Sequence, residues 1–201
     1  MVDEKLSPLF RAALDGDTES AAILLNQGAD ISARDVNGYT ALHYAVTAGP
    51  NRPDRVAVAE LLLDWEADPN ALEKRGNTPL MLALKQKQKS YRAMALLLLS
   101  RGGDPHGLKD AGFAPLHAAT YYGDAVVVEH LLLYGAEVNA RNRRGETPLH
   151  DAARKNREDV TQVLLSAGAD FALEDNTGKT PLQVAREQGS TEVVAILERL
   201  A

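Results

Sequence analysis

The chain of 201 residues is 45% hydrophobic and 25% charged and carries a net charge of −6, which indicates an ordered, mildly acidic globular protein and excludes disordered and collagen-like classes. It contains no cysteine, so disulfides, zinc–thiolate sites, iron–sulfur clusters and cysteine nucleophiles are excluded. Its longest apolar run, residues 93–99, is far shorter than the ~20 residues of a membrane-spanning helix, so no membrane segment is predicted.

A short motif with the character of a helix start recurs six times along the chain. Its copies begin at positions 7, 40, 78, 114, 147 and 180, which gives a period of 33 residues with two longer spacings. A serine or threonine before proline predicts a helix start, because the hydroxyl caps the helix and the fixed proline φ suits its first position. In chain order the copies are Ser7-Pro-Leu-Phe10, Thr40-Ala-Leu-His43, Thr78-Pro-Leu-Met81, Ala114-Pro-Leu-His117, Thr147-Pro-Leu-His150 and Thr180-Pro-Leu-Gln183.

Each copy is followed by a second apolar stretch that predicts a second helix. Most of these stretches end at a glycine, which adopts the left-handed conformation that ends helices, whereas Glu66 stands at this position in the second repeat. Polar turns ending in glycine then separate the repeats, as in Asp35-Val-Asn-Gly38 and Asp175-Asn-Thr-Gly178. One repeat is therefore a hairpin, a helix, a turn and a second helix.

The Thr-Pro-Leu-His start, the Gly-Ala-Asp end and the Asp-x-x-Gly turn together resemble the ankyrin repeat, in six copies that cover the chain. The resemblance implies an all-α repeat solenoid of six stacked hairpin–helix–turn–helix units in a single domain over residues 1–201. The expected repeats are 1–34 as an N-terminal cap, 35–72, 73–108, 109–141, 142–174, and 175–201 as a C-terminal cap. Phe10, Met81 and Gln183 depart from the family histidine, and Ala114 lacks the capping oxygen.

The positions of the histidines indicate a structural role rather than metal binding or catalysis. His43, His117 and His150 occupy the fourth motif position, where the family histidine bonds the hairpin backbone. Packed helices lie ~8–10 Å apart, so equivalent histidines on successive repeats cannot share one metal ion. No glycine-rich phosphate loop or nucleophile elbow occurs. We therefore expect no metal, no cofactor and no enzymatic activity.

The resemblance also implies where a partner protein binds: on the hairpin tips and the exposed side of the first helices, a concave face. Tyrosine and arginine are common hot-spot residues, and the tyrosines concentrate in repeats two to four of this face. Tyr44 and Leu82 have the alternative of packing against the next repeat's hairpin. The predicted partner-binding residues are Tyr39, Tyr44, Leu82, Phe113, Tyr121, Tyr122, Arg144 and Arg154.

Two further features leave alternatives open. Arg141, Arg143 and Arg144 form a locally basic hairpin, which is either a contact for an acidic protein or an ordinary solvated turn; nucleic acid is not expected, since the chain is net acidic. The insertions around residues 49–53 and 85–89 fall between a first and a second helix, and they are either tolerated loop growth or a functional edge.

The leading functional hypothesis is a monomeric interaction scaffold or adaptor that docks a partner protein on repeats two to five. A cytoplasmic location is expected, because the first residues carry charges where a secretory signal is apolar. One alternative is a substrate of an asparaginyl hydroxylase, since Asn70 and Asn139 resemble asparagines modified in some ankyrin proteins. A weaker alternative is an enzyme with a shallow, unrecognised site.

Overall fold

The computed structural model describes residues 6–47, 54–86, 91–107, 112–122 and 124–200. Within these ranges the regular structure is all helical, with no strands, and the helices form six pairs that match the six copies of the motif. In chain order the helices are α1 (Pro8–Asp15), α2 (Thr18–Asn26), α3 (Ala41–Thr47), α4 (Arg55–Asp64), α5 (Pro79–Leu84), α6 (Tyr91–Ser100), α7 (Pro115–Tyr122), α8 (Ala125–Leu133), α9 (Pro148–Lys155), α10 (Glu158–Ser166), α11 (Pro181–Gln188) and α12 (Thr191–Leu197).

The first helix of each pair begins where the motif predicts. The Ser7 hydroxyl accepts from the N–H of Phe10 at 3.4 Å, and the Thr78 hydroxyl accepts from the N–H of Met81 at 3.2 Å. Each bond satisfies one of the backbone donors left open at a helix start. Helix α7 begins at Pro115 although Ala114 offers no such oxygen, so the fixed φ of proline and tertiary packing suffice to start it.

The second helices, apart from α12, are followed by a residue in the left-handed conformation. The φ angles are 90° at Gly28, 87° at Gly102, 94° at Gly135 and 87° at Gly168. Glu66 takes the same place after α4 with a φ of 63°. Because this conformation costs a residue with a Cβ roughly 1–2 kcal/mol, Glu66 is a strained helix end.

The chain divides into two compact units, Met1–Asp104 and Pro105–Ala201. In the first unit, α1, α3 and α5 pack side by side, and α2, α4 and α6 form a second row against them. The second unit repeats the plan with α7, α9 and α11 in one row and α8, α10 and α12 in the other. Each unit has its own leucine-rich core, with Leu42, Leu62, Leu80 and Leu98 fully buried in the first and Leu116, Leu131, Leu149, Leu164 and Leu197 in the second. The single domain expected over residues 1–201 stays a prediction.

Hairpin backbones hold successive repeats together inside each unit. In the first unit, the N–H of Lys74 donates to the carbonyl of Asn37 at 2.9 Å. In the second unit, the N–H of Asn176 donates to the carbonyl of Arg144, also at 2.9 Å. The polar turns therefore have a structural role beyond reversing the chain.

Both insertions lie between a first and a second helix, as predicted. One separates Thr47 from Arg55, and the other separates Leu84 from Tyr91. Residues 48–53 and 87–90 themselves lie outside the described residues. Across the part of the chain that the structure describes, no helix has the length and apolar character needed to cross a bilayer.

Candidate functional site

The first unit presents a cluster of half-buried tyrosines beside its first hairpin. The Tyr44 ring stacks on Phe10 of the preceding repeat, with 5.2 Å between centroids, and its hydroxyl donates to Asp35 at 2.8 Å. The centroid of the Tyr39 ring lies 5.3 Å from that of the His43 ring and 5.6 Å from that of the Tyr44 ring. These contacts hold both tyrosines in one orientation while part of each ring stays accessible.

The Asp35 carboxylate organises this hairpin. Its partial burial acts to raise the pKa, but hydrogen bonds from the Tyr39 N–H, the Tyr44 hydroxyl and Asn37 outweigh burial and hold the pKa of Asp35 below its usual value. Asp35 is therefore ionised at neutral pH and fixes the hairpin that carries Tyr39. Leu82, the remaining predicted contact of this unit, is half-buried on α5.

The second unit exposes its aromatic side chains more fully. Phe113 is 36% exposed and stacks on His117 with 5.6 Å between centroids. Tyr121 is 37% exposed, and the ammonium of Lys155 lies 4.3 Å from its ring centroid in a cation–π contact. The ring of Tyr122 packs edge-on against that of Tyr121, with 5.4 Å between the ring centroids. The rings of Phe113 and Tyr121 are thus exposed and restrained by their neighbours.

Arg144 and Arg154 converge on one buried carboxylate, that of Glu146. The Glu146 side chain is 2% exposed, and Arg144 Nη2 lies 2.9 Å from its Oε2. Arg154 donates to Oε1, and the side-chain amide of Asn142 donates to Oε2 at 2.9 Å. The Arg144 side chain remains 69% exposed, so its guanidinium is positioned by Glu146 and still reaches solvent.

The basic hairpin predicted from Arg141, Arg143 and Arg144 is less positive than its sequence suggests. The carboxylate of Glu146 offsets the charge of Arg144, whereas Arg141 keeps its charge and donates to the backbone carbonyl of Glu174. The adjoining groove of about 370 Å³ is lined by both signs of charge, including Arg154, Lys179, Asp175 and Glu187. Sequence reasoning missed Glu146 because its position in the turn did not indicate that it is buried.

Two of the three motif histidines bind the hairpin backbone as expected. Nδ1 of His150 accepts from the N–H of Thr147 at 3.1 Å, and Nε2 donates to the carbonyl of Lys179 at 2.9 Å. His43 makes the corresponding bonds with Thr40 and Asn77. Burial lowers the pKa of both histidines, although the carbonyl acceptors and nearby carboxylates oppose it. Both are therefore neutral at pH 7, with the hydrogen on Nε2.

His117 binds differently, because Asp151 approaches it from the next repeat. Its Nδ1 lies 2.7 Å from Asp151 Oδ2, and its Nε2 lies 3.0 Å from the carbonyl of Ala140. Both side chains are almost fully buried. Sequence reasoning did not identify this pair, although the signal existed: Asp151 occupies a column that holds Tyr44, Leu82, Ala118 and Val184 in other repeats.

The two asparagines proposed as modification sites connect adjacent repeats. Asn70 donates to the carbonyl of Gly102 at 2.9 Å and accepts from the N–H of Asp104 at 2.7 Å. Asn139 accepts from the N–H of Asp170 at 2.9 Å. These bonds stabilise the repeats, and hydroxylation at either position stays a prediction. Among the described residues, no cluster of three or more histidine or carboxylate side chains is arranged to hold a metal ion.

Comparisons with known proteins agree with this architecture. A family model described as "Ankyrin repeats (3 copies)" matches residues 2–73, 54–142, 80–175 and 116–199. Ankyrin repeat and SOCS box protein 16 of Mus musculus is 32% identical over 146 residues, covering 67% of this chain and 31% of its own length. SH3 and multiple ankyrin repeat domains protein 2 of Homo sapiens is 34% identical over 137 residues, covering 68% of this chain and 7% of its own length.

A third relative is an enzyme. The 2-5A-dependent ribonuclease of Mus musculus is 42% identical over 83 residues, which cover 41% of this chain and 11% of the ribonuclease. The chain thus spans less than a third of the length of these three curated relatives.

Solved structures match over nearly the whole chain. An ankyrin repeat domain from Acinetobacter baumannii superposes with a TM-score of 0.81 at 31% identity, covering 94% of this chain and 95% of that one. A chain from the complex of a predatory endopeptidase with an immunity protein of Bdellovibrio bacteriovorus also gives a TM-score of 0.81, covering 96% and 98%. At 24% identity, the second match is a likeness of fold alone.

Proposed function

Because the chain belongs to the ankyrin-repeat family, whose repeats generally bind other proteins, we propose that it is an interaction scaffold or adaptor that docks a partner on its hairpin tips and first helices. The proposed contacts are Tyr39, Tyr44 and Leu82 in the first unit. In the second unit they are Phe113, Tyr121, Tyr122, Arg144 and Arg154. The protein acts as a cytoplasmic monomer in this proposal.

The observation that best supports this proposal is that Phe113 and Tyr121 are both exposed and both restrained by their neighbours. Both rings are more than a third exposed, and both contact neighbouring side chains that restrict their rotation. A restrained side chain loses little conformational entropy when a partner covers it, so more of its burial energy contributes to binding. Exposed aromatic side chains of this kind commonly dominate protein interfaces.

The charges beside these rings favour a partner with acidic or polar groups. Arg144 is held at the buried carboxylate of Glu146, and its side chain as a whole stays 69% exposed. A pre-oriented guanidinium can bind a partner carboxylate with two parallel hydrogen bonds. The neighbouring Glu187 and Asp175 would reject a partner that carried only acidic groups, so the groove favours a mixed surface.

We propose binding rather than catalysis. The ankyrin-repeat fold is typically non-enzymatic. The ribonuclease relative is matched over 11% of its length, which supports a shared repeat module and not a shared reaction.

Affinity capture with matched variants tests the proposal. Wild type, the double variant Phe113→Ala/Tyr121→Ala and the control Phe171→Ala are immobilised and incubated with lysate of the source cells. Phe171 is also 36% exposed but lies between the end of α10 and the turn from Asp175 to Gly178, so it belongs neither to a hairpin tip nor to a first helix. Two hot spots together contribute about 3–4 kcal/mol, so capture by the double variant should fall at least about 100-fold.

Circular dichroism must first show that all three proteins are equally folded. Partners held by wild type and Phe171→Ala, and lost from the double variant, support the proposed surface. Equal capture by all three proteins would place the partner elsewhere, and no specific capture by wild type would argue against a scaffold.

A further inference from the structure

A groove on the second-helix side of the second unit lies outside the proposed partner surface. It runs between α8 and α10 and has a volume of about 650 Å³. Its apolar lining comes from Ala125 and Leu132 on α8, from Val163 on α10 and from Ala167 directly after α10. Each of these helices is nine residues long, so the groove extends for about 13 Å at 1.5 Å per residue.

Leu133 extends the apolar character of this groove to its edge. It follows Leu132 and lies four residues after the groove-lining Glu129, so it shares that face of α8. Its side chain is 78% exposed, so most of its apolar surface is accessible at the edge of the groove. The equivalent positions of other repeats are polar: Asn26, Asp64, Ser100 and Ser166.

The groove is also acidic. Glu129 and Asp159 line it, and neither carboxylate has a hydrogen-bond or ion-pair partner among the residues that the structure describes. Neither α8 nor α10 contains a lysine or an arginine. Arg157, which precedes α10, directs its guanidinium to the carbonyl of Tyr121 at 3.3 Å. Two unpaired carboxylates therefore flank an apolar floor.

We infer that this groove binds a short amphipathic helix of a partner protein, with an aliphatic stripe flanked by lysines and arginines. A helix of about two and a half turns matches the length of α8 and α10 and can pack its ridges into the groove between them. Its aliphatic side chains cover Leu132, Leu133 and Val163, and its cations pair with Glu129 and Asp159. The charge complementarity selects a basic helix over an acidic one.

The probe is a synthetic 14-residue peptide with blocked ends, built from leucine at helical spacing and lysine or alanine elsewhere. A second peptide keeps every leucine and replaces each lysine with glutamate. Binding is measured by fluorescence anisotropy at two salt concentrations. The protein variants are Glu129→Gln/Asp159→Asn, Leu133→Ser and the charge control Glu137→Gln, because Glu137 is exposed and lines a different pocket beside Phe113.

We expect the lysine peptide to bind wild type and the glutamate peptide not to bind. Loss of two exposed ion pairs should weaken binding about fivefold in Glu129→Gln/Asp159→Asn. Loss of a covered leucine should weaken it about tenfold in Leu133→Ser. Glu137→Gln and Phe113→Ala/Tyr121→Ala should bind the lysine peptide as wild type does. The experiment therefore tests the groove separately from the proposed partner surface.

Three results would overturn the inference. Equal weakening by Glu137→Gln would mean non-specific attraction to an acidic chain. Equal binding of the glutamate peptide would remove the basic helix as the occupant. If sedimentation shows that wild type self-associates and Leu133→Ser does not, the groove is covered by a second copy of this chain instead.

Discussion

At the scale of single residues, the buried motif histidines determine how the hairpins attach to the helices. His150 accepts a hydrogen bond at Nδ1 and donates one at Nε2, so the neutral ring satisfies both neighbours. Burial lowers its pKa most strongly, against the opposing effects of the Lys179 carbonyl and the Asp175 carboxylate. Gln183 takes the same place in the last repeat and accepts from the Thr180 N–H at 2.8 Å.

These facts predict a pH dependence of stability. The folded pKa of His150 lies below the unfolded value of about 6.5, so its contribution is fully present above that value and is lost as pH falls through the folded pKa. We expect His150→Gln to lose less unfolding free energy than wild type between about pH 7 and about pH 5. Urea unfolding at both values measures this difference. An unchanged pH dependence would mean that His150 does not titrate in this range.

At the scale of helices, termination depends on one left-handed residue after each second helix except α12, which is followed by Glu198 in the right-handed conformation. Glycine occupies this position after α2, α6, α8 and α10 without a Cβ penalty. Glu66 occupies it after α4 and carries that penalty, and its position was recognisable from the aligned repeats. The repeat architecture imposes the conformation even where the residue does not favour it.

Replacing Glu66 with glycine should therefore stabilise the protein. Relief of the left-handed strain is expected to raise the free energy of unfolding by about 1 kcal/mol. The matched control is Gly102→Ala, where a Cβ would meet no atom within 4 Å, so only the backbone cost of the φ of 87° changes. This variant should lose about 1 kcal/mol. Urea unfolding of both variants checks the pair, and a destabilised Glu66→Gly would contradict the strain argument.

At the scale of the whole molecule, the division at Asp104 separates two sets of three helix pairs. Three repeats are about the number that a solenoid needs to bury a continuous core. The second unit contains five fully buried leucines of its own, one from each of five of its helices. Its core is thus built from residues within the unit.

We expect residues 105–200 to fold when produced alone. The fragment should show a helical circular dichroism spectrum and a cooperative thermal transition. Because Leu149 is fully buried on α9, Leu149→Ala should lower the free energy of unfolding of the fragment by about 2–5 kcal/mol. An unfolded fragment would contradict this expectation and would support the single domain predicted for the full chain.

The sequence alone was sufficient for the helix pairs, their starts, the left-handed helix ends and the placement of the insertions. These features depend on signals within a few residues, such as a cap, a proline or a glycine, and the 33-residue period made each signal recognisable because it recurs in most of the repeats. The same period aligned equivalent positions into columns and singled out Tyr39, Phe113 and Tyr121 as candidates. Their role in binding stays a prediction.

Only the tertiary structure showed how side chains on neighbouring repeats meet. Asp151 reaches His117 across 34 positions of sequence, and within a single repeat Glu146 becomes buried between Arg144 and Arg154. The groove between α8 and α10 likewise joins residues from separate repeats. These contacts depend on how one repeat packs against the next, and on which side chains that packing leaves without solvent. The local signals that start and end a helix carry neither piece of information.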